Sequence, residues 1–474
     1  MIEPILIGGK EVLGRGPTLF SQNPANGESK VKYSTASYLD LDDAINAATE
    51  ANSSWREVLP HKRAVLLRNV GKLIERDKEE LAKLQMIQNG KTIKECRSQA
   101  KACAEIFFYY ASVCETQETV VTTPRSNNLS MTLNEPFGIV GLITPWNSPL
   151  TMEAQKLAPA LAAGNSVILK PSEVTPGIGI ALGKLCVEAG FPPELINVLN
   201  GSGTDVGSPI VSHPSVRMVS FTGGTNTGRA IARAASEKLM PVALELGGKS
   251  PHIVFADANI EQASRAIADG IFGSMGQSCV AGSRLLVQKD IYESLIHELI
   301  NIVKSYSVGN PADESTELGP LSSFSHRDVV ENYIRSAISD GGEILIGGNR
   351  PEGLDQGAYY LPTIIKNLSP NARAYKEEIF GPVLIVASFD NEEELIELAN
   401  NSVYGLACGI WTNDFKRAWR IAKNIDAGTV WINSYKVLSI ANPFGGMKDS
   451  GLGQEKGRQG IELYQAKKTI SISI

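Results

Sequence analysis

Two residues in this sequence stand out for their chemistry, a glutamate and a cysteine at the two ends of one stretch. Glu245 lies just before the Gly247-Gly248 break, in Leu-Glu-Leu-Gly-Gly-Lys-Ser-Pro, and Cys279 closes Gly276-Gln-Ser-Cys. A thiol that attacks and a carboxylate that moves a proton together make a two-step covalent catalyst. Each also has a plainer reading: a carboxylate can cap a helix or pair at the surface, and a free cysteine most often packs as a small hydrophobe. The elements around them decide between these. Residues 241–246 read as a strand, 260–275 as a helix and 283–288 as a further strand, so both groups fall at junctions where loops expose what rigid elements position.

Asn147 offers a side-chain amide beside the rigid corner Pro145-Trp146, although asparagine in a loop commonly serves a turn. Lys170 and Glu173 follow another strand-like run, Ser166-Val-Ile-Leu-Lys170. Their side chains could hold the two hydroxyls of a ribose, and a carboxylate there repels a 2′-phosphate, which favours NAD over NADP. Two Gly-rich turns come next, Asn200-Gly-Ser-Gly203 with Gly207, and Thr222-Gly-Gly-Thr225 with Gly228. Such turns let a pyrophosphate approach the backbone at helix N-termini. The spacing Gly201-x-Gly203-x-x-x-Gly207 misses the dinucleotide fingerprint by one residue, so this motif alone is equally a pair of ordinary turns.

These turns follow from a regular alternation. Strands are expected at 138–143, 166–170, 196–199, 218–221 and 242–246, and helices at 152–163, 176–189, 204–212 and 225–235. Uninterrupted apolar strands indicate burial on both faces, hence a parallel sheet whose ligands bind at the carboxyl ends. A second α/β run begins near Lys249, with strands expected at 252–255, 283–287, 384–388, 407–411 and 429–433. Before all this, residues 1–40 read as short extended pieces, and 40–114 as amphipathic helices with a stop at Gly90. Residues 117–135 read as a hairpin, and the alternating C-terminus, Lys468-Thr-Ile-Ser-Ile-Ser-Ile474, is expected to pair with it or with another subunit.

Global properties narrow the function. A chain of 474 residues is expected to form two or three domains. With 45 basic against 51 acidic residues and no long basic cluster, nucleic acid is not an expected partner. No basic leader followed by a long apolar run and no apolar run of about 20 residues is visible, so a cytoplasmic protein without a membrane partner is expected. The six cysteines are widely spaced with no CxxC and are read as reduced thiols; the five histidines form no close pair, so no metal site is expected.

Taken together, Pro145-Trp-Asn147, Lys170-Pro-Ser-Glu173, Phe221-Thr-Gly-Gly224, Glu245-Leu-Gly-Gly-Lys-Ser-Pro251, Gly276-Gln-Ser-Cys279, Glu378-Ile-Phe-Gly-Pro382 and Pro443-Phe-Gly-Gly446 resemble, in order and approximate spacing, the motifs of the NAD(P)-dependent aldehyde dehydrogenase superfamily. The resemblance covers nearly the whole chain. It implies an α/β fold with two parallel-sheet, Rossmann-like domains plus a small β oligomerisation element. The corresponding division is 1–116 with 136–247 for NAD binding, 248–447 for catalysis, 117–135 with 465–474 for oligomerisation into a homodimer or homotetramer, and 448–464 as a connecting helix.

The resemblance also implies roles. Cys279 would attack the aldehyde, Asn147 and the Cys279 N–H would form the oxyanion hole, and Glu245 would activate the water that hydrolyses the thioester. Lys156 and Glu455 would relay protons to that base. The cofactor, NAD with NADP as the alternative, would be held by Ile143, Thr144, Pro145, Trp146, Lys170, Ser172, Glu173, Gly203, Gly207, Phe221, Gly223, Gly224, Thr227, Leu246, Gly247, Glu378 and Phe380. Members that pass the acyl group to coenzyme A usually lack this glutamate, so Glu245 favours release of a free carboxylic acid.

Departures from the common pattern lie in the expected substrate tunnel, formed by Ser148, Met152, Gln155, Ser278, Leu438 and Phe444. Many members have aromatic residues where Ser148 and Gln155 stand, a frequent Asn where Ser274 stands, and Ser where Gly224 stands. A wider or more polar tunnel is therefore expected, with the aldehyde itself unnamed. Two rival classes remain in view: a cysteine hydrolase using His252 as base, which leaves the Gly-rich turns idle, and a non-catalytic protein that keeps the fold, which has no need of Cys279 and Glu245.

Overall fold

The structure is a computed structural model and describes residues 2–474, the side chains of Ser29 and Lys30 aside; Met1, first of the expected N-terminal extended pieces, lies outside the described residues. Its frame is two sheets. In the first, five parallel strands run in the order Val242–Glu245, Val216–Thr222, Ile139–Ile143, Ser166–Lys170 and Ile196–Val198. Antiparallel pieces extend both edges: Ile5–Ile7 with Lys10–Val12 on one side and Gly451–Leu452 on the other. The second sheet contains parallel strands Thr363–Lys366, Val383–Phe389, Arg284–Gln288, Pro251–Val254, Ala407–Trp411 and Thr429–Ile432, edged by antiparallel Glu343–Ile346.

The strands buried on both faces are the uninterrupted apolar ones. Ile139–Ile143 and Ser166–Lys170 are buried at every residue, as expected when helices cover both sides of a parallel sheet. Between them the helix Pro149–Ala163 is buried over almost its whole length, so its polar residues Glu153, Gln155 and Lys156 must find partners inside the protein. The N-terminal helices Tyr38–Trp55 and Ile93–Glu115 each start with a reciprocal capping box, Ser37 with Asp40 and Thr92 with Glu95. Gly90, left-handed at φ 75°, ends the helix Lys78–Asn89 where the sequence places a stop.

The expected hairpin forms from Val120–Arg125 and Asn128–Pro136, and the C-terminal strand Gln465–Ser473 pairs antiparallel with its second strand over nine residues. Three expected helices need correction. The stretch 448–464 is helical only at Gln459–Glu462, because Gly453 and Gly457 adopt left-handed backbone and Gly451–Leu452 instead joins the strand that carries Glu245. The helix before Cys279 stops at Phe272, since Ser274 and Met275 are left-handed. The helix expected over 204–212 opens with a wide π-type turn at Gly203–Gly207 before Ser208–Ser212.

Candidate active site

Cys279 is placed by a strained turn. After Phe272 the chain runs through Ser274 (φ 57°), Met275 (φ 55°) and Gly276 (φ 68°), three consecutive residues in the left-handed region. For the two non-glycine residues this costs free energy on the order of 1 kcal/mol or more each, and such outliers persist where surrounding structure enforces them. Gly276 has no alternative, because a Cβ there would collide with the Gly381 carbonyl oxygen. Gln277 pins the turn from inside: its Oε1 accepts the Ser322 N–H at 2.8 Å and its Nε2 donates to the Ser274 carbonyl at 3.3 Å. The Gln277 carbonyl in turn accepts Asn147 Nδ2–H at 3.0 Å. The turn that carries the thiol is thus tied to the corner that carries the amide.

The thiol is half-buried at the floor of a cavity of about 920 Å³. Burial, then the carboxyls of Glu245 and Glu378, pushes its pKa up to about 12, against the pull of the Lys456 ammonium and the Val280 N–H. The resting group is therefore the neutral thiol, and a base must take its proton when it attacks. Glu245 lines the same cavity, 5% exposed, and neither carboxylate oxygen has a hydrogen-bond partner among the described residues. Desolvation, then Glu455, holds its pKa well above the usual carboxylate range, with Lys156 and Lys456 pulling the other way. A buried, unpartnered carboxyl facing a thiol is costly for stability and suited to moving protons.

Behind Glu245 sits a second, fully sequestered charge pair. Lys156 Nζ meets Glu455 Oε1 at 2.5 Å and donates to Ser220 Oγ at 2.8 Å, while Ser220 Oγ–H donates to the same Glu455 oxygen at 2.9 Å. Gln155 Nε2 holds the other Glu455 oxygen at 2.5 Å. Met152, Gln155 and Lys156 share one face of the Pro149–Ala163 helix at i, i+3 and i+4. Gln155 was expected as a tunnel residue only; it lines the cavity and also orients Glu455. Glu455 is fixed along the backbone as well, exchanging hydrogen bonds with Phe444 at 2.7 and 2.8 Å.

The cofactor residues expected from the sequence fall into two groups. Near the thiol, Pro145, Trp146, Gly223, Gly224, Leu246, Gly247, Glu378 and Phe380 line the cavity. Glu378 Oε1 accepts the Gly248 N–H at 2.9 Å, and a Cβ on Gly247 would collide with its carboxylate, so the Gly247-Gly248 break is what lets Glu378 reach in. Burial raises the pKa of Glu378 to about 7. Phe380, left-handed at φ 55°, stands edge-on to Trp146 with ring centroids 5.3 Å apart.

Further out, Lys170 and Glu173 pair at 3.4 Å, and Glu173 Oε1 also accepts the Gly203 N–H at 3.2 Å. Gly207 lies beside the Lys170 stem, and Gly203 and Gly224 face open space. Thr227 is exposed in the first turn of Thr225–Ser236, a helix whose N-cap is Gly224. The Phe221 ring supports Gly223, Ile143 is in the parallel sheet, and Thr144 donates to buried Glu153 at 3.4 Å. Ser172 Oγ accepts the Val174 N–H at 3.3 Å. A carboxylate with spare acceptor capacity, glycine-lined turns and a helix N-terminus together fit a dinucleotide.

Of the tunnel residues, Ser148, Met152, Ser278, Leu438 and Phe444 line the cavity. Sequence reasoning missed Lys91, Gln99, Lys436 and Lys456, which line it too, and Ser450, which bonds Gly247 O at 2.7 Å and the Gly405 N–H at 2.9 Å. Ser450, Gln277 and Ser220 act across long sequence separations and leave no local signal. His252 cannot serve Cys279 as a base: it is buried under Tyr435 with ring centroids 3.9 Å apart, both ring nitrogens lack hydrogen-bond partners among the described residues, and burial lowers its pKa to about 3. Among the described residues no group of three or more His, Cys, Asp or Glu is placed to hold a metal ion.

Comparisons with known proteins agree with this geometry. The chain is 41% identical over 447 residues to a betaine aldehyde dehydrogenase of Bacillus subtilis (strain 168), covering 93% of this chain and 91% of that one. It is 39% identical over 458 residues to the peroxisomal aminoaldehyde dehydrogenase 2 of Pisum sativum, covering 95% and 91%. Among solved structures it superposes on an NAD-dependent aldehyde dehydrogenase from Sinorhizobium meliloti at TM-score 0.98, with 36% identity and 100% and 95% coverage. At TM-score 0.97, with 38% identity and 99% and 95% coverage, it also superposes on a betaine aldehyde dehydrogenase from Staphylococcus aureus in complex with NAD+. With residues 14–470 matched by the aldehyde dehydrogenase family model, this chain belongs to the aldehyde dehydrogenase family.

Proposed function

We propose that the residues gathered around Cys279 oxidise an aldehyde to the carboxylic acid with NAD, Cys279 carrying the acyl group and Glu245 releasing it. The observation that carries this division is the pair itself: a half-buried thiol and a buried carboxyl without hydrogen-bond partners, lining one cavity. Cys279 Sγ gives its proton to solvent, the thiolate being favoured by the Lys456 ammonium, and adds to the carbonyl carbon. Asn147 Nδ2–H and the Cys279 N–H receive the oxyanion; preorganised donors of this kind are worth roughly 3–4 kcal/mol each in other enzymes. NAD, when bound, supplies the acceptor for the hydride. Glu245 then takes a proton from the water that attacks the thioester, and the Lys156–Glu455 pair, electrostatically coupled to Glu245, passes that proton onward. Glu378, Trp146 and Phe380 would hold the nicotinamide half of the cofactor, and Lys170 with Glu173 the adenosine ribose.

The NAD complexes of the Staphylococcus aureus relative and the carboxylate at Glu173 support NAD over NADP. The domain division read from the sequence is retained, with 448–464 as a turn-rich connection that packs Gly451–Leu452 against the Glu245 strand. Among the described residues no helix is long and apolar enough to cross a membrane. The test is a panel of aldehydes followed by absorbance of the reduced cofactor, with NAD and NADP in parallel. Reduction of NAD by some aldehyde, abolished by Cys279→Ala, is expected. No reduction with any aldehyde, alongside cofactor-free ester turnover, would overturn it.

A further inference from the structure

The wall of the tunnel carries more positive charge than the chemistry uses. Lys91 is 5% exposed and donates from Nζ to Ser274 Oγ at 2.7 Å; Ser274 Oγ–H in turn donates to Glu95 Oε1 at 2.6 Å. Glu95 is occupied by the Thr92 cap and is not part of the cavity lining, whereas Lys91 is. Lys436 lines the same cavity, half-buried, and its ammonium has no hydrogen-bond or ion-pair partner among the described residues.

Lys436 is also held in place. Its backbone is left-handed at φ 54°, as is that of Asn433 at φ 51°. The residues on either side are clamped: Tyr435 Oη–H donates to the Val280 carbonyl at 2.9 Å, next to the thiol, and Trp431 Nε1–H donates to the Val437 carbonyl at 3.1 Å. Strained backbone fixed by two flanking hydrogen bonds is the pattern of a side chain aimed for a purpose. Burial and Lys91 lower the Lys436 pKa to about 8, with Glu95, Cys279 and Asp269 pulling the other way and His252 also within its field. A half-buried lysine that another lysine destabilises is short of an anion.

The same wall offers a cation little: its one carboxylate outside the chemistry, Glu105, is exposed and already pairs with Lys101 at 3.8 Å. Phe444 is the one aromatic residue among the tunnel positions, and its face is covered by Lys456 Nζ at 4.8 Å from the ring centroid. Trp146, His326 and Phe380 pack against one another on the cofactor side. Lys456 already takes the Phe444 ring, and the two lysines repel an ammonium.

We infer that this site takes aldehydes bearing an anionic group, a carboxylate or phosphate, at the end remote from the carbonyl, and that Lys436 with Lys91 binds that group. The inference rests on the aldehyde-oxidising reading above and deepens it; it sets this chain apart from relatives named for betaine aldehyde and aminoaldehydes.

The test compares kcat/KM for ω-oxo carboxylates of several chain lengths, their methyl esters, ω-amino aldehydes of matching length and an ω-phosphate aldehyde. The carboxylate or phosphate aldehyde should exceed its neutral and cationic isosteres by roughly tenfold to a hundredfold, the scale of one charge-assisted contact; which of the two anions leads distinguishes the sources. Lys436→Met should remove that preference through KM while leaving turnover of the neutral ester within about twofold, and Lys436→Arg should restore it. Equal activity on charged and neutral isosteres, best activity on the amino aldehydes, or equal loss on all substrates in Lys436→Met would overturn the inference and leave the dehydrogenase reading standing. Absence of cofactor reduction with every aldehyde would overturn both.

Discussion

At the scale of single residues, the account turns on how burial sets protonation. Glu245 is neutral over a wider range than an ordinary carboxyl, because its pKa is raised by desolvation and by Glu455. Its ionised form is the base, so turnover limited by thioester hydrolysis should fall as pH drops through that raised pKa and level off above it. Replacing Glu455 by Gln removes a repelling charge and should shift the acid limb of the kcat profile towards lower pH; an unmoved limb would detach Glu455 from this base. Lys156→Met leaves Glu455 buried without its cation, and breaking such a pair costs about 3–5 kcal/mol, to be read as a drop in thermal midpoint. Glu173→Ala should raise kcat/KM with NADP relative to NAD, checked by parallel cofactor titrations. Cys279, Glu245 and Asn147 each border a short motif visible in the sequence, Glu245 at the end of its strand before Gly247-Gly248, and it is the ordered set of motifs that singles them out. Lys436 was not, since nothing in Asn-Ser-Tyr-Lys shows that Trp431 and Tyr435 clamp it beside a lysine far away in the chain.

Among elements, the decisive one is the left-handed turn between Phe272 and Cys279. Gly276→Ala should lower kcat/KM by about a hundredfold, since displacement by ~1 Å can cost that much, and should lower stability because φ 68° and the Gly381 carbonyl both oppose a Cβ. Ser274→Ala, which keeps the backbone and removes only the hydroxyl between Lys91 and Glu95, should be far milder in thermal unfolding. The alternating strands and helices were readable from hydrophobic pattern, and the Glu245 strand was placed to within a residue or two. The turn was not: apolar spacing carries on past Phe272, and the contacts that hold the turn, Gln277 to Ser322 and Gly276 against Gly381, come from distant parts of the chain. The 448–464 stretch misled for the same reason, as its glycines take conformations dictated by the neighbouring sheet.

For the whole molecule, the outlying sheet of Val120–Arg125, Asn128–Pro136 and Gln465–Ser473 is the feature the single chain leaves unfinished. Val120, Val121, Ile470, Ile472 and Ile474 are exposed on it, and long exposed edges are normally paired or covered. A homodimer or homotetramer built through this sheet is the proposed assembly. Sedimentation should give an oligomer at micromolar concentration, and Ile470→Lys with Ile472→Lys should dissociate it; a monomeric parent protein would contradict the assignment. Period-two alternation marked the C-terminal strand and left open whether it pairs with the hairpin or with another subunit; within the chain it pairs with the hairpin over nine residues. Its use between subunits is not a property of one chain's sequence pattern.

The division of labour between Cys279 and Glu245 is the central claim, and rapid mixing of Glu245→Gln with NAD and an accepted aldehyde tests it directly. The variant should give a burst of reduced cofactor close to one equivalent per site and then stall, with the acyl group found on Cys279 by intact-mass measurement. Steady turnover at the parent rate, or an adduct on another residue, would contradict it.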